Sequence, residues 1–187
     1  KADLLDRRAR LNFGVFSYRV KDLQLTAVGG ASGNANVLLN AKKATGQGFE
    51  LDLQAFLTDR VLASMGLGYN DTKIKDANLV VAVCGNGQYA LDPTPRKNCT
   101  VTDPQPTVGT ANINGNALPQ APKVTANFTL KYTQPTGSGG EWYVLTDWVY
   151  RSKINFFLYE SREFTGKALT EGGVRVGYVW GNGKYEA

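Results

Sequence analysis

This sequence of 187 residues contains no histidine, one methionine and only two cysteines. Each shortage closes off a class of function. Without His there is no Ser–His or Cys–His nucleophile pair. Cys84 and Cys99 stand alone in one long polar stretch. They form no Cys-x-x-Cys motif, and with no His to complete a ligand set they form no zinc pattern. No Asp or Glu pair stands out from its surroundings as a catalytic couple. These residues leave carboxylate-only catalysis open; the expectation is nevertheless a non-enzyme, with no cofactor and no bound metal. Long apolar runs are missing too. The longest, Leu79–Cys84 (LVVAVC), falls far short of the roughly 18 residues a membrane helix needs. The chain opens at Lys1 without a Met or a basic and apolar leader, so residue 1 reads as an internal or processed position. The net charge is +5, but the 21 Lys and Arg are spread along the chain, and no nucleic-acid partner is expected.

What the sequence does have is alternation. In Lys123–Thr133 (KVTANFTLKYT), Val124, Ala126, Phe128, Leu130 and Tyr132 share one parity. Lys123, Thr125, Asn127, Thr129 and Lys131 share the other. Successive side chains of a strand point to opposite faces, so this segment has one apolar and one polar side. The pattern recurs from Gly48 to Leu57 and from Val61 to Asn70, with Thr58-Asp59 as a tight turn between them. It recurs from Glu141 to about Phe156 and again around Val174, Val176, Tyr178 and Trp180. The first segment, Arg8–Ala27, alternates imperfectly, and a bulge or a change of environment near Val15 would reconcile its two halves. Gly 21, Tyr 9, Phe 8 and Trp 3 suit strands and turns. A mean hydropathy of −0.28 is compatible with a membrane barrel, in which half of every strand faces water.

The connections sort by length. Short turns are expected at 57–60, 135–140 and 181–183, and longer loops at 28–40, 71–120 and 158–168. Such sorting is the habit of outer-membrane barrels, with short periplasmic turns and long extracellular loops. Tyr69, Tyr132, Trp142 and Trp180 stand at strand ends, where an interfacial aromatic girdle would place them. The fold class is all-β, an antiparallel transmembrane barrel segment of about six or seven strands. The alternative is a soluble or stand-alone β-barrel or sandwich that serves as a binding or structural module.

Four stretches resemble the C-terminal part of the barrel of TonB-dependent outer-membrane receptors. They are KADLLDRRARLNFGVFSYRVKDLQ (1–24), NAKKATGQGFELDL (40–53), NALPQAPKVTANFTLKY (116–132) and WYVLTDWVYRSKINF (142–156). The resemblance implies a larger barrel of about 22 strands around a plug. It implies energy-coupled uptake of a scarce solute such as a siderophore complex, vitamin B12 or a glycan. The partners it implies are the lipid bilayer, a plug domain, the TonB complex and that solute, in the outer membrane of a Gram-negative bacterium. Neither a plug nor a TonB-binding box is read in residues 1–187, so the chain is expected to be a partial barrel domain with an extracellular loop over about 71–120.

The residue assignments follow from this frame. Val124, Phe128, Leu130, Val174, Val176 and Tyr178 are expected to face lipid. Asp147, Arg151, Lys153 and Arg175 are candidate lumen contacts to ligand or plug. Cys84 and Cys99 are expected to form a disulfide in an oxidising compartment. Gly66-x-Gly68 lies on a strand without a following helix, so it reads as room for something packed inside the barrel and not as a dinucleotide fingerprint.

Overall fold

The structure, a computed structural model, describes residues 1–28, 36–84, 99–137, 139–180 and 185–186. The glycine-rich stretch 29–34 and the turn 181–183 read from the sequence lie outside these residues. The strands are β1 (Ala2–Leu4), β2 (Ala9–Val28), β3 (Asn36–Thr58), β4 (Val61–Ile74), β5 (Val80–Ala82) and β6 (Thr110–Asn112). They continue with β7 (Val124–Pro135), β8 (Glu141–Arg151), β9 (Ile154–Asn155), β10 (Thr165–Gly166), β11 (Leu169–Trp180) and β12 (Tyr185–Glu186). Eight of them form one antiparallel sheet in the order β1-β2-β3-β4-β7-β8-β11-β12, which does not close on itself among the described residues. The pairs β5–β6 and β9–β10 are separate short ribbons.

The apolar parities of neighbouring strands fall into register. Phe13 pairs with Leu51, Leu51 with Leu67 and Leu67 with Ala126. Phe128 pairs with Trp148 and Met65, and Val176 with Val144. One continuous face therefore carries the apolar half of six strands. It is uncovered: Val15 is 74% exposed, Val174 69% and Val176 61%. Between β4 and β7 this face runs from the Tyr69–Val124 pair to the Val61–Tyr132 pair. That is about 27 Å of strand at the usual rise. At a tilt of roughly 40° it spans about 20 Å, near the height of a barrel's apolar band.

Several strand limits differ from the sequence reading. β1 was not foreseen; its three residues pair Ala2–Leu4 with Leu11–Ala9. β3 begins at Asn36, well inside the expected loop 28–40, and pairs with β2 along nearly its whole length. No bulge occurs at Val15, where the β2–β3 ladder is unbroken. The irregularity lies at Asp22, which has φ 52 and drops out of the ladder between Lys21 and Leu23. Beyond it, Ala27 and Ala41 enter the same buried cluster as Ile74. β8 ends at Arg151, so Lys153 lies in a link, and Ile154 and Asn155 pair with Gly166 and Thr165 instead of extending the strand. The space above Gly66 and Gly68 is taken by the Asn127 and Thr125 side chains of β7, not by an occupant of the interior.

Short turns gather at one end of the sheet. Residues 5–8 join β1 to β2 and residues 59–60 join β3 to β4. In the β7–β8 turn the Thr136 N–H donates to the Gly140 carbonyl at 2.7 Å, and Gly139 takes φ 77, which favours glycine. The long connections meet at the other end, and the buried core sits there. Ile74, Val81, Val83, Ala111, Ile113, Leu158 and Tyr159 form it together with Ala27 and Ala41. Ile74 and Ile113 are fully buried. Each such side chain contributes about 1.5–3 kcal/mol. The stretch read as irregular over 71–120 thus includes the end of β4, the β5–β6 ribbon and a packed core.

Candidate functional site: a polar sheet face under a folded loop cap

The face opposite the apolar one is laid out in rows by the same registers. One row runs Arg10, Gln54, Ser64, Thr129, Asp147, Gly173. The next toward the short turns runs Phe56, Leu62, Lys131, Leu145, Arg175. On the other side lies Asn12, Asp52, Gly66, Asn127, Val149, Glu171, followed by Gly14, Glu50, Gly68, Thr125, Arg151, Leu169. Three of the four candidate contact residues, Asp147, Arg151 and Arg175, share this face. Lys153 does not. Arg10, Glu50, Asp52 and Glu171 belong to the same face and were not singled out in the sequence. Their strand parity was the signal that could have found them.

Within this face the Lys131 ammonium lies 4.9 Å from the centroid of the buried Tyr143 ring. The Tyr143 ring in turn covers Gly177, its partner across the ladder. Arg151 donates from Nη1 to the Lys167 carbonyl at 3.3 Å, which ties β8 to the approach of β11. Ions and neutral hydrogen-bonding groups stand here among the apolar Phe56, Leu62, Leu145, Val149 and Leu169. Such a surface can solvate a polar solute or seat another polar surface.

The six residues assigned to the apolar parity share the opposite face. Phe128 is 39% exposed. Tyr178 is half-buried, lies over Gly140 and places its hydroxyl 3.2 Å from Thr136 Oγ1.

The loops between β4 and β7 and between β8 and β11 fold onto each other as a cap. Cys84 and Cys99 are joined in a disulfide, with Cα atoms 6.1 Å apart. The Cys84 N–H donates to the Tyr159 hydroxyl at 3.1 Å. The Thr102 N–H donates to the Glu160 carbonyl, and the Arg162 N–H to the Thr100 carbonyl. Asp103 Oδ2 accepts from the Glu160 N–H at 2.6 Å and from Asn116 Nδ2 at 2.8 Å. Phe157 stacks on Tyr159 at 5.7 Å and meets Phe164 edge-on at 4.7 Å.

Besides Asp103, two further carboxylates hold the cap in place. Asp76 accepts from the Lys42 N–H at 3.1 Å and the Asn78 N–H at 3.3 Å. The Lys42 N–H, then that of Asn78 and the Lys42 charge, hold its carboxyl below the usual range. Glu163 accepts from the Thr100 N–H at 2.7 Å and the Thr100 hydroxyl at 2.9 Å. The Thr100 N–H is the leading cause of its lowered pKa. Burial pushes the Tyr159 hydroxyl up, so it stays a neutral phenol. Among the described residues no group of three His, Cys, Asp or Glu could hold a metal ion.

The profile of the TonB dependent receptor-like, beta-barrel family matches residues 1–182. The chain belongs to that family. The structure is similar to the siderophore receptor PiuA from Acinetobacter baumannii, with a TM-score of 0.59 and 19% sequence identity. That match covers 94% of this chain and 20% of the PiuA chain, so the chain spans about a fifth of the length of that receptor. At this identity the likeness carries the fold alone. No curated protein matches the sequence. Family membership accounts for the open sheet, because the barrels of this family have many more strands than eight.

Proposed function

We propose that this chain is wall and loop cap of an outer-membrane receptor that takes up a scarce solute with energy delivered through TonB. The single observation that carries this reading is the register of six strands, which gathers one apolar face opposite a mixed face rich in polar and charged residues. The apolar face would meet lipid, and the polar face would meet water and a plug. The long-loop end would face the outside, where solute arrives. The solute class is a siderophore complex, vitamin B12 or a glycan. The chain acts on no covalent bond of the solute in this reading; binding and passage are its work.

A soluble sandwich would bury the apolar face beneath a second sheet. Among the described residues the strand contacts run almost wholly between ladder neighbours, with β2–β5 as the exception, and the apolar residues stay exposed. That favours lipid as the cover. The test is uptake of radiolabelled iron–siderophore, vitamin B12 and oligosaccharide panels by cells carrying the full receptor, with and without TonB. One labelled solute should accumulate, and its accumulation should stop when TonB is removed. Accumulation of that solute at an equal rate without TonB would overturn the reading.

A further inference from the structure

The face opposite the apolar one changes character toward the loop cap. Alternation past Gly14 and Glu50 sets Phe16 opposite Gly48 and Tyr18 opposite Gly46. The two glycines make room for the rings. A Cβ on Gly46 would collide with the Tyr18 ring, and one on Gly48 with the Phe16 ring. Both rings therefore lie down over β3 instead of standing off the sheet. Their centroids are 6.3 Å apart and their planes differ by 16°, so together they form one flat strip. Tyr18 is 41% exposed. One row further, Val20, Ala44 and Ile74 are paired neighbours, and Ala44 and Ile74 are fully buried. Ile74 belongs to the cap core. The aromatic strip is thus the first open wall beneath the cap.

The surroundings accept hydrogen bonds and offer few. Across β2, β3 and β4 the rows run Gly14, Glu50, Gly68, then Phe16, Gly48, Asn70, then Tyr18, Gly46, Thr72. Glu50 is the one ionised group in these rows, and Asp52 stands on the row before them. Among the described residues neither carboxylate joins an ion pair. Asn12 and Asn70 each keep an Oδ1 without a hydrogen-bond partner. The cations that flank the patch are committed elsewhere. Lys42 lies 3.8 Å from Asp76, Arg10 3.2 Å from Asp3 and Lys123 2.8 Å from Asp71.

We propose that Phe16 and Tyr18 form a sugar-binding platform, and that the solute taken up is a neutral oligosaccharide. The proposal rests on the receptor reading above and narrows its solute class. The faces of aromatic rings are negative, and the C–H face of a pyranose ring is faintly positive, so the two stack. Ionised carboxylates accept hydrogen bonds only, so Glu50 and Asp52 call for a solute that brings donors, as sugar hydroxyls do. Two nearly coplanar rings set along one strand suit a chain of sugar rings. An anionic iron complex would meet ring faces and carboxylates of its own sign and no uncommitted cation at this place, which disfavours it.

The test uses the full receptor purified in a detergent without a sugar headgroup, with binding read by titration calorimetry. The probes are maltohexaose, xylohexaose and chitohexaose, with a ferric tris-catecholate and cyanocobalamin as the other two solute classes. At least one oligosaccharide should bind, at least tenfold more tightly than either of the others, and its affinity should not change with salt. Phe16→Leu/Tyr18→Leu should weaken that binding at least tenfold, whereas Phe16→Tyr/Tyr18→Phe, which keeps both rings, should retain it. Phe56→Leu removes an exposed ring from the same face at the short-turn end and should leave the affinity unchanged. No binding of any oligosaccharide, tighter binding of the iron complex or the cobalamin, or equal loss in the Leu variants of the strip and of Phe56 would overturn the proposal. If the double Leu variant fails to fold, the wild-type order of affinities and its response to salt decide alone. Uptake by cells reports separately on the receptor reading. Accumulation of the ferric catecholate that needs TonB, with none of any oligosaccharide, leaves that reading standing and refutes only this inference.

Discussion

At the scale of single residues, parity decides cost. Phe128 and Thr129 are adjacent, yet they belong to opposite faces, beside Trp148 and Asp147 respectively. If the apolar face meets lipid, Phe128→Arg should cost about 2–4 kcal/mol in a denaturation titration in bilayers. Thr129→Arg, on the wet face, should cost much less. Equal costs at the two positions would contradict the orientation. The cysteines make a second case. Opening a bond across a sequence separation of 15 should remove about 3 kcal/mol from the cap. Peptide mapping without reductant should recover Cys84 and Cys99 linked, and full alkylation of both thiols in native material would count against the pairing.

Among elements, the loop cap departs furthest from what the sequence displays. Strands β4, β7 and β11 were legible because each carries its own period-two pattern, which needs no knowledge of neighbours. The cap core is assembled from Ile74, Val81, Val83, Ala111, Ile113 and Leu158, which are scattered over the end of β4 and two long connections. No local period links them, so only tertiary pairing shows that the described parts of 71–120, residues 71–84 and 99–120, are packed. β3 was read short for a related reason. Its first half carries Lys42, Lys43 and Thr45, where the apolar alternation stops because the strand leaves the band of the apolar face. Of the candidate contacts, Asp147, Arg151 and Arg175 were legible from parity. Lys153 was misplaced because the end of β8 depends on the pairing of Ile154 with Gly166.

The cap should also be acid-sensitive. Asp76 and Glu163 have carboxyls held below their ordinary range by N–H donors. Their contribution is complete above the unfolded carboxylate value of about 4, and it is lost as pH falls through the lower folded value. Hydrogen exchange, corrected for the intrinsic rate, should show 75–84 and 99–123 losing protection below about pH 4 while β7 and β8 keep theirs. An Asp76→Asn/Glu163→Gln variant should already be loose at neutral pH and respond less to acid. Loss of protection in cap and strands together would contradict this. Ile113→Ala should loosen the same segments by about 2–5 kcal/mol through the cavity it leaves.

For the whole molecule, eight strands make an arc with unpaired edges at β1 and β12 among the described residues. Lipid does not tolerate open backbone, so in a membrane those edges must be paired with further strands. The account rests on one claim, that the apolar face meets lipid along its length. It is tested most directly by placing a fluorophore in turn at each position from 124 to 132 of the full receptor in bilayers. Quenching by a lipid-borne nitroxide is then read at every site. The account predicts strong quenching at 124, 126, 128 and 130 and weak quenching at 125, 127, 129 and 131. A flat profile, or one with the opposite parity, would contradict it.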